Sequence, residues 1–279
     1  MLTDLIVHLD GGAEDETRLS HAEMISASFG ARVTGLYTNP LPEYAMASGF
    51  DPRFSTVAGV FQLHERIHEE GDGVFARLME RLTRNNANDE LRRLEAGAGT
   101  LPQLCASEAR RADLFVATSY PNDARPDWGR LVKTVIFEGG RAVYLVPPGR
   151  KAGHGVKNIL VAWRDTREST RAIAEAVPFL KVANVARIVT VDPRDVEERE
   201  SQAVDIAAHL DRHGANVEIS AIDANGGTVG AVLLDEARRM SADLIVMGAY
   251  GHSRFREWIL GGVTREMIAQ SDTQILLAH

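Results

Sequence analysis

The chain carries the same pattern twice. Leu5-Ile6-Val7-His8-Leu9-Asp10 is matched by Ile159-Leu160-Val161-Ala162-Trp163-Arg164, and Ala31-Arg32-Val33-Thr34 by Ala186-Arg187-Ile188-Val189. Glu108-Ala109-Arg110-Arg111, followed by Ala112-Asp113-Leu114-Phe115-Val116, returns as Glu236-Ala237-Arg238-Arg239, followed by Ala242-Asp243-Leu244-Ile245-Val246. Ala142-Val143-Tyr144-Leu145-Val146 matches the closing Gln274-Ile275-Leu276-Leu277. Four correspondences in one order mean a duplicated domain, so whatever fold the first half takes the second must also accommodate. The seam, Pro147-Pro148-Gly149-Arg150-Lys151-Ala152-Gly153-His154-Gly155, is rich in Pro and Gly and reads as a linker. The expected division is 1–147 and 156–279, joined by 148–155.

Within each half, short β-branched runs alternate with longer helical segments. In the second half the pattern predicts strands at 158–163, 186–191, 216–222, 243–247 and 273–278, and helices near 168–182, 195–213, 228–240 and 262–270. Thr228 is placed to cap a helix start and Gly214 a helix end. Strands apolar throughout and separated by helices predict a parallel sheet covered on both faces. Right-handed crossovers then give a doubly wound α/β sheet, whose ligands sit beyond the carboxyl ends of the strands. The junctions after 163, 191 and 247 are the places to look, which puts Val191 among the candidate residues. The first half is about 25 residues longer in the middle, at 39–57, which reads as a lid or interface segment.

Bulk chemistry excludes several classes. The net charge is −8, which argues against a general nucleic-acid binder, since that needs a basic face. Cys105 is the single cysteine, so no intrachain disulfide forms and a reducing, cytoplasmic setting is expected. The opening MLTDLIVHLD has an acid within its first four residues and does not read as a signal peptide. No run approaches the roughly 18 apolar residues of a membrane span.

The stretch MGAYGHSRFREWILGGVT, residues 247–264, holds four glycines directly after the apolar run Leu244-Ile245-Val246. A strand, a glycine turn and a helix start can hold an anion on backbone N–H groups. Alternatively, the glycines only fit the loop against its neighbour. On the first reading Gly248 and Gly251 turn the chain off the strand. Gly261, Gly262, Val263 and Thr264 open a helix whose free N–H groups face a phosphate. His252, Ser253 and Arg254 fall in the loop, where a hydroxyl and a guanidinium can add contacts.

These residues resemble the universal stress protein family in its tandem two-domain form, over nearly the whole chain. The resemblance rests on the phrase ADLIVMGAYGHSRFREWILGGVT, on Asp10-Gly11 after the first strand, and on the order of strands. It implies two domains with five-stranded parallel sheets in the order 3-2-1-4-5. Nucleotide-binding members carry G-x2-G-x9-G-[S/T]. Gly248, Gly251 and Gly261 fit, while Gly262 stands where Ser or Thr is expected. The family also implies an acid at the end of the first strand, near adenine and ribose. Asp10 fills that place in the first half, but Arg164 fills it in the second, followed by Asp165. The first half has Ala117-Thr118-Ser119-Tyr120-Pro121 in place of the glycine loop, so it reads as a degenerate partner.

The resemblance therefore implies a stress-response sensor or regulator that binds ATP or another adenine nucleotide at the second half, with no metal beyond accompanying Mg. It implies no catalytic residues and at most slow ATP hydrolysis. The two halves would form an intrachain pseudo-dimer through 142–146 and 273–278, with a further homodimer and a protein partner left open. Two other readings stand beside it. One is a nucleotide-free interaction module with both clefts vestigial. The remoter one is a metal-dependent hydrolase on His64-Glu65-Arg66-Ile67-His68, which spells H-E-x-x-H but offers no third ligand and sits in a polar neighbourhood that suits a solvated helix face. Trp163 is open between stacking on a base and core packing. Cys105 reads as a buried core thiol.

Overall fold

The structure, a computed structural model, describes residues 1–41, 57–86, 88–120, 126–191, 196–250 and 262–279. In the first half β1 (Asp4–Leu9), α1 (Asp15–Phe29), β2 (Arg32–Leu41), α2 (Val57–Asn85), β3 (Glu90–Gly97), α3 (Leu101–Ala109), β4 (Leu114–Thr118), α4 (Pro126–Glu138) and β5 (Ala142–Val146) follow in order. The second half repeats them as β6 (Asn158–Ala162), α5 (Arg167–Val182), β7 (Val185–Val191), α6 (Val196–Arg212), β8 (Val217–Ile222), α7 (Val229–Arg239), β9 (Leu244–Gly248), α8 (Gly262–Gln270) and β10 (Gln274–Ala278).

Apolar periodicity places these elements because both sheet faces are buried. The strand runs DLIVHL and LFVAT bury nearly every residue, which only a sheet sandwiched between helices allows. Helix ends follow local chemistry. The Thr228 hydroxyl accepts from the Ala231 N–H at 3.1 Å, and Gly214 takes φ +86° where α6 ends.

Each half winds as 3-2-1-4-5, and the two sheets join edge to edge. The ten strands run β3-β2-β1-β4-β5-β10-β9-β6-β7-β8. All neighbours are parallel except at the join, where β5 pairs antiparallel with β10 through Leu145–Ile275, Tyr144–Leu276 and Val143–Leu277. The pseudo-dimer expected from strands 142–146 and 273–278 is therefore present. Two apolar edges that would each expose unpaired N–H and C=O groups satisfy one another.

The helices divide between faces, and each core runs through both halves. One layer joins Leu19 and Ile25 of α1, Leu82 of α2, Phe179 of α5 and Leu210 of α6. The other joins Cys105 of α3, Val135 of α4, Leu233 of α7 and Met267 of α8. Cys105 is fully buried there, and burial pushes its thiol up to about 12.

One boundary differs from expectation. Strand β2 continues past residue 37 to Leu41, with Asn39, Pro40 and Leu41 paired to Glu95, Ala96 and Gly97. Pro40 lies beyond Tyr37, where β1 no longer pairs with β2 and the strand is an edge on that side, a place where proline is tolerated. The rest of the 39–57 segment, from 42 to 56, lies outside the described residues.

Candidate functional site

The carboxyl ends of β1 and β4 in the first half are filled from within. Arg18 of α1 has no exposed surface. Its guanidinium lies 2.7 Å from Asp10 at the end of β1, bonds Asp15, and donates to the Thr118 hydroxyl at 3.1 Å. It also sits 4.7 Å from the Trp128 ring centroid, a cation–π distance. Asp15 in turn accepts the N–H groups of Asp10 and Gly11 at 3.0 and 2.8 Å. Beside it, His8 is buried with Nε2 on the Thr38 hydroxyl at 2.8 Å and Nδ1 without a partner. Burial would raise the Asp10 carboxyl, but the Arg18 charge and hydrogen bond prevail and hold it at about 2. Burial, with Arg18 nearby, drops His8 to about 3, so it is neutral. The acids at 10 and 15 are thus spent on an internal cation.

Among the described residues, the second half has other residues at the places of Asp10, Asp15, Arg18 and Thr118. Leu5–Leu114 pairing corresponds to Ile159–Leu244, which sets Asp10 against Arg164, Thr118 against Gly248 and Tyr120 against Tyr250. The buried positions Asp15, Arg18, Leu19, Ala22 and Ile25 of α1 recur in α5 as Ser169, Ala172, Ile173, Ala176 and Phe179. So a buried arginine becomes alanine, and its acid and hydroxyl partners become Ser169 and Gly248.

Gly248 is glycine for space. A Cβ there would lie 2.6 Å from the Ser169 amide N and 2.7 Å from the Glu168 carbonyl carbon, in the first turn of α5. Among the described residues of this loop, the left-handed backbone falls on Tyr250, at φ 63°. The expectation that Gly248 turns the chain is corrected accordingly: it lets α5 approach β9, and Tyr250 makes the turn. Thr166 caps α5, its hydroxyl accepting from the Ser169 N–H at 3.3 Å.

Of the expected site residues, Arg164 and Asp165 lie exposed after β6, and Val191, half-buried, ends β7. Gly248 ends β9, and Gly262, Val263 and Thr264 form the first turn of α8. These share the carboxyl edge around β6, where the winding reverses. Thr264 is buried, and its hydroxyl accepts from the Tyr250 N–H at 3.4 Å, so it ties α8 to the loop. Gly251, His252, Ser253, Arg254 and Gly261 lie outside the described residues.

Residues 155–279 match the sequence model of the universal stress protein family. These residues form a universal stress protein domain. A universal stress protein of Archaeoglobus fulgidus is similar in structure over 99% of this chain and 95% of its own, at 14% identity and TM-score 0.73. A putative universal stress protein of Pseudomonas aeruginosa is similar over 99% and 93%, at 13% identity and TM-score 0.59. At these identities the likeness speaks to fold, and it extends the universal stress protein fold over both halves. No curated relative matches by sequence.

The other motifs settle into structure. His68 of the H-E-x-x-H run bonds Glu95 at 2.8 Å, beside Arg93, whose guanidinium holds Asp72 and Glu95. Among the described residues no cluster of three or more His, Cys, Asp or Glu is arranged to hold a metal ion, and no helix is long and apolar enough to cross a membrane. Trp163 packs against the core layer of α1, α2, α5 and α6, with its indole N–H buried and unpartnered. Sequence reasoning missed Arg18, His8, Trp128 and Thr118. The signal was slight: an arginine three residues after Asp15, on the face of α1 that should have been apolar.

Proposed function

We propose that this universal stress protein binds one adenine nucleotide per chain, ATP or a close relative with accompanying Mg, at the second half, and acts as a stress-response sensor through conformation and partners. The observation that carries this reading is the asymmetry between the two sets of strand ends. In the first half, Arg18 with Asp10, Asp15 and Thr118 forms a buried ionic cluster at the strand ends. In the second, Arg164, Ser169, Ala172 and Gly248 stand at those places, and the glycine phrase leads into α8. Backbone N–H groups of Gly251, Gly261, Gly262 and Val263 would cradle phosphate, with Ser253, Arg254 and Thr264 adding contacts. Arg164 replaces the family's acid, so affinity should follow phosphate count more than base.

The packing role of Gly248 favours one competing reading, a nucleotide-free interaction module. Titration calorimetry with ATP, ADP, AMP and GTP, together with mass spectrometry of small molecules released on denaturation, separates the two. One site per chain that is lost in Gly251→Val supports the nucleotide reading. No binding to any of the four supports the module.

A further inference from the structure

We infer that Phe137, at the end of α4 in the first half, is a positioning residue for Tyr250, where the glycine phrase of the second half starts. This rests on the nucleotide reading above for its functional consequence.

The loop starts on an unfavourable backbone. Tyr250 adopts φ 63°, a left-handed conformation that a bulky residue keeps only when its surroundings impose it. Besides the packing of Tyr250 against the core layer of α3, α4, α7 and α8, three contacts bear on the loop start. The Ala249 N–H donates to the Ala278 carbonyl at 2.8 Å, which continues the β9–β10 pairing. The Tyr250 N–H donates to Thr264 in α8 at 3.4 Å, a long bond. The third contact comes from the other half. The Phe137 ring stacks on Tyr250 with centroids 4.8 Å apart and planes 28° from parallel. Phe137 also meets His279 edge-on at 4.5 Å, and His279 Nδ1 lies 3.0 Å from the Ala249 carbonyl. Phe137 thereby touches the loop start directly and also through the C-terminal residue.

The Tyr250 hydroxyl does not fix this geometry, because it is buried without a hydrogen-bond partner among the described residues. What orients the side chain is its ring, which packs on that core layer on one hand and stacks on Phe137 on the other. Nor is the contact a by-product of pseudo-symmetry. The β5–β10 correspondence, Ala142 with Gln274, places Ala269 opposite Phe137. An alanine cannot return the stack to Tyr120, so the ring reaches only toward the half that carries the glycines. Phe137 stays 46% exposed, which is a poor use of a phenylalanine as core filling and consistent with a contact kept for position.

The test is Phe137→Ala in the full chain, with Phe137→Tyr as the conservative rescue. Hydrogen exchange of peptides covering Met247 to Tyr250 and Gly262 to Met267, without nucleotide, should accelerate ~5-fold or more in Phe137→Ala and return to wild type in Phe137→Tyr, while peptides of β1 and β4 stay unchanged. ATP affinity should fall ~10-fold in Phe137→Ala and recover in Phe137→Tyr. Unchanged exchange in both peptides overturns the inference, as does equal ATP affinity in wild type and Phe137→Ala. If wild type binds no nucleotide, the nucleotide reading fails, and the exchange result alone still decides whether Phe137 positions the loop.

Discussion

Arg18 and Asp10 form an ion pair at 2.7 Å in which the arginine side chain is wholly buried. A buried pair adds little net stability over an apolar filling, but losing one partner is costly. Arg18→Ala leaves Asp10 and Asp15 facing an empty crevice. Urea unfolding should show a loss of ~3–5 kcal/mol, and Arg18→Met should lose less because it refills the volume. A loss under ~1 kcal/mol in Arg18→Ala would show that water or a rearranged side chain replaces the cation.

His8 makes the fold acid-sensitive. Its folded value of about 3 lies below the ordinary 6.5, so between these pH values the unfolded chain binds a proton that the folded chain refuses. Stability is therefore present above pH 6.5 and declines as pH falls toward 3. The decline should reach ~2 kcal/mol between pH 7 and pH 5 from this group. His8→Gln should flatten the pH–stability curve in that window relative to wild type. An identical slope in both proteins would clear His8 of the effect. Asp10, held at about 2, acts in the same direction at lower pH: its contribution is present above about 4 and lost as pH falls through 2.

Gly248→Ala should disturb the second half. The added Cβ would overlap backbone of the first turn of α5, and no side-chain rotation can relieve that. Overpacking of this kind costs ~1–3 kcal/mol, read as a lowered unfolding midpoint. Nucleotide binding, if present in wild type, should weaken with it.

Tyr250→Phe should be neutral or stabilising by up to ~1 kcal/mol, since it removes a buried hydroxyl without a partner and keeps the ring. Tyr250→Ala should destabilise by loss of the stack on Phe137. A clear loss in Tyr250→Phe would mean that the hydroxyl has a partner in solution.

Residues 1–150 expressed alone leave the β5 edge without β10. The product should self-associate or aggregate, as sedimentation would show. A well-behaved monomer would mean that the edge is protected some other way.

Much of this architecture was legible because it is local or repeated. Apolar runs of five residues between amphipathic segments specify strand and helix wherever both sheet faces are buried, and Thr228 and Gly214 carry their cap chemistry in their own side chains. The family resemblance implied the order of strands, the duplication applied it to both halves, and two apolar closing strands called for each other. Tertiary structure decided the rest, since it depends on which atoms meet across distant segments. Gly248 looks like a turn glycine in sequence, but its need for space arises only where α5 crosses β9. Tyr250 looks like a loop filler, but it takes a left-handed backbone and is stacked by Phe137, over a hundred residues earlier. Arg18 looks like one surface charge among 31 basic residues. Only the convergence of β1, α1, β4 and α4 encloses it with two carboxylates, a hydroxyl and an indole, while the other half keeps alanine and glycine at the places of the arginine and the hydroxyl.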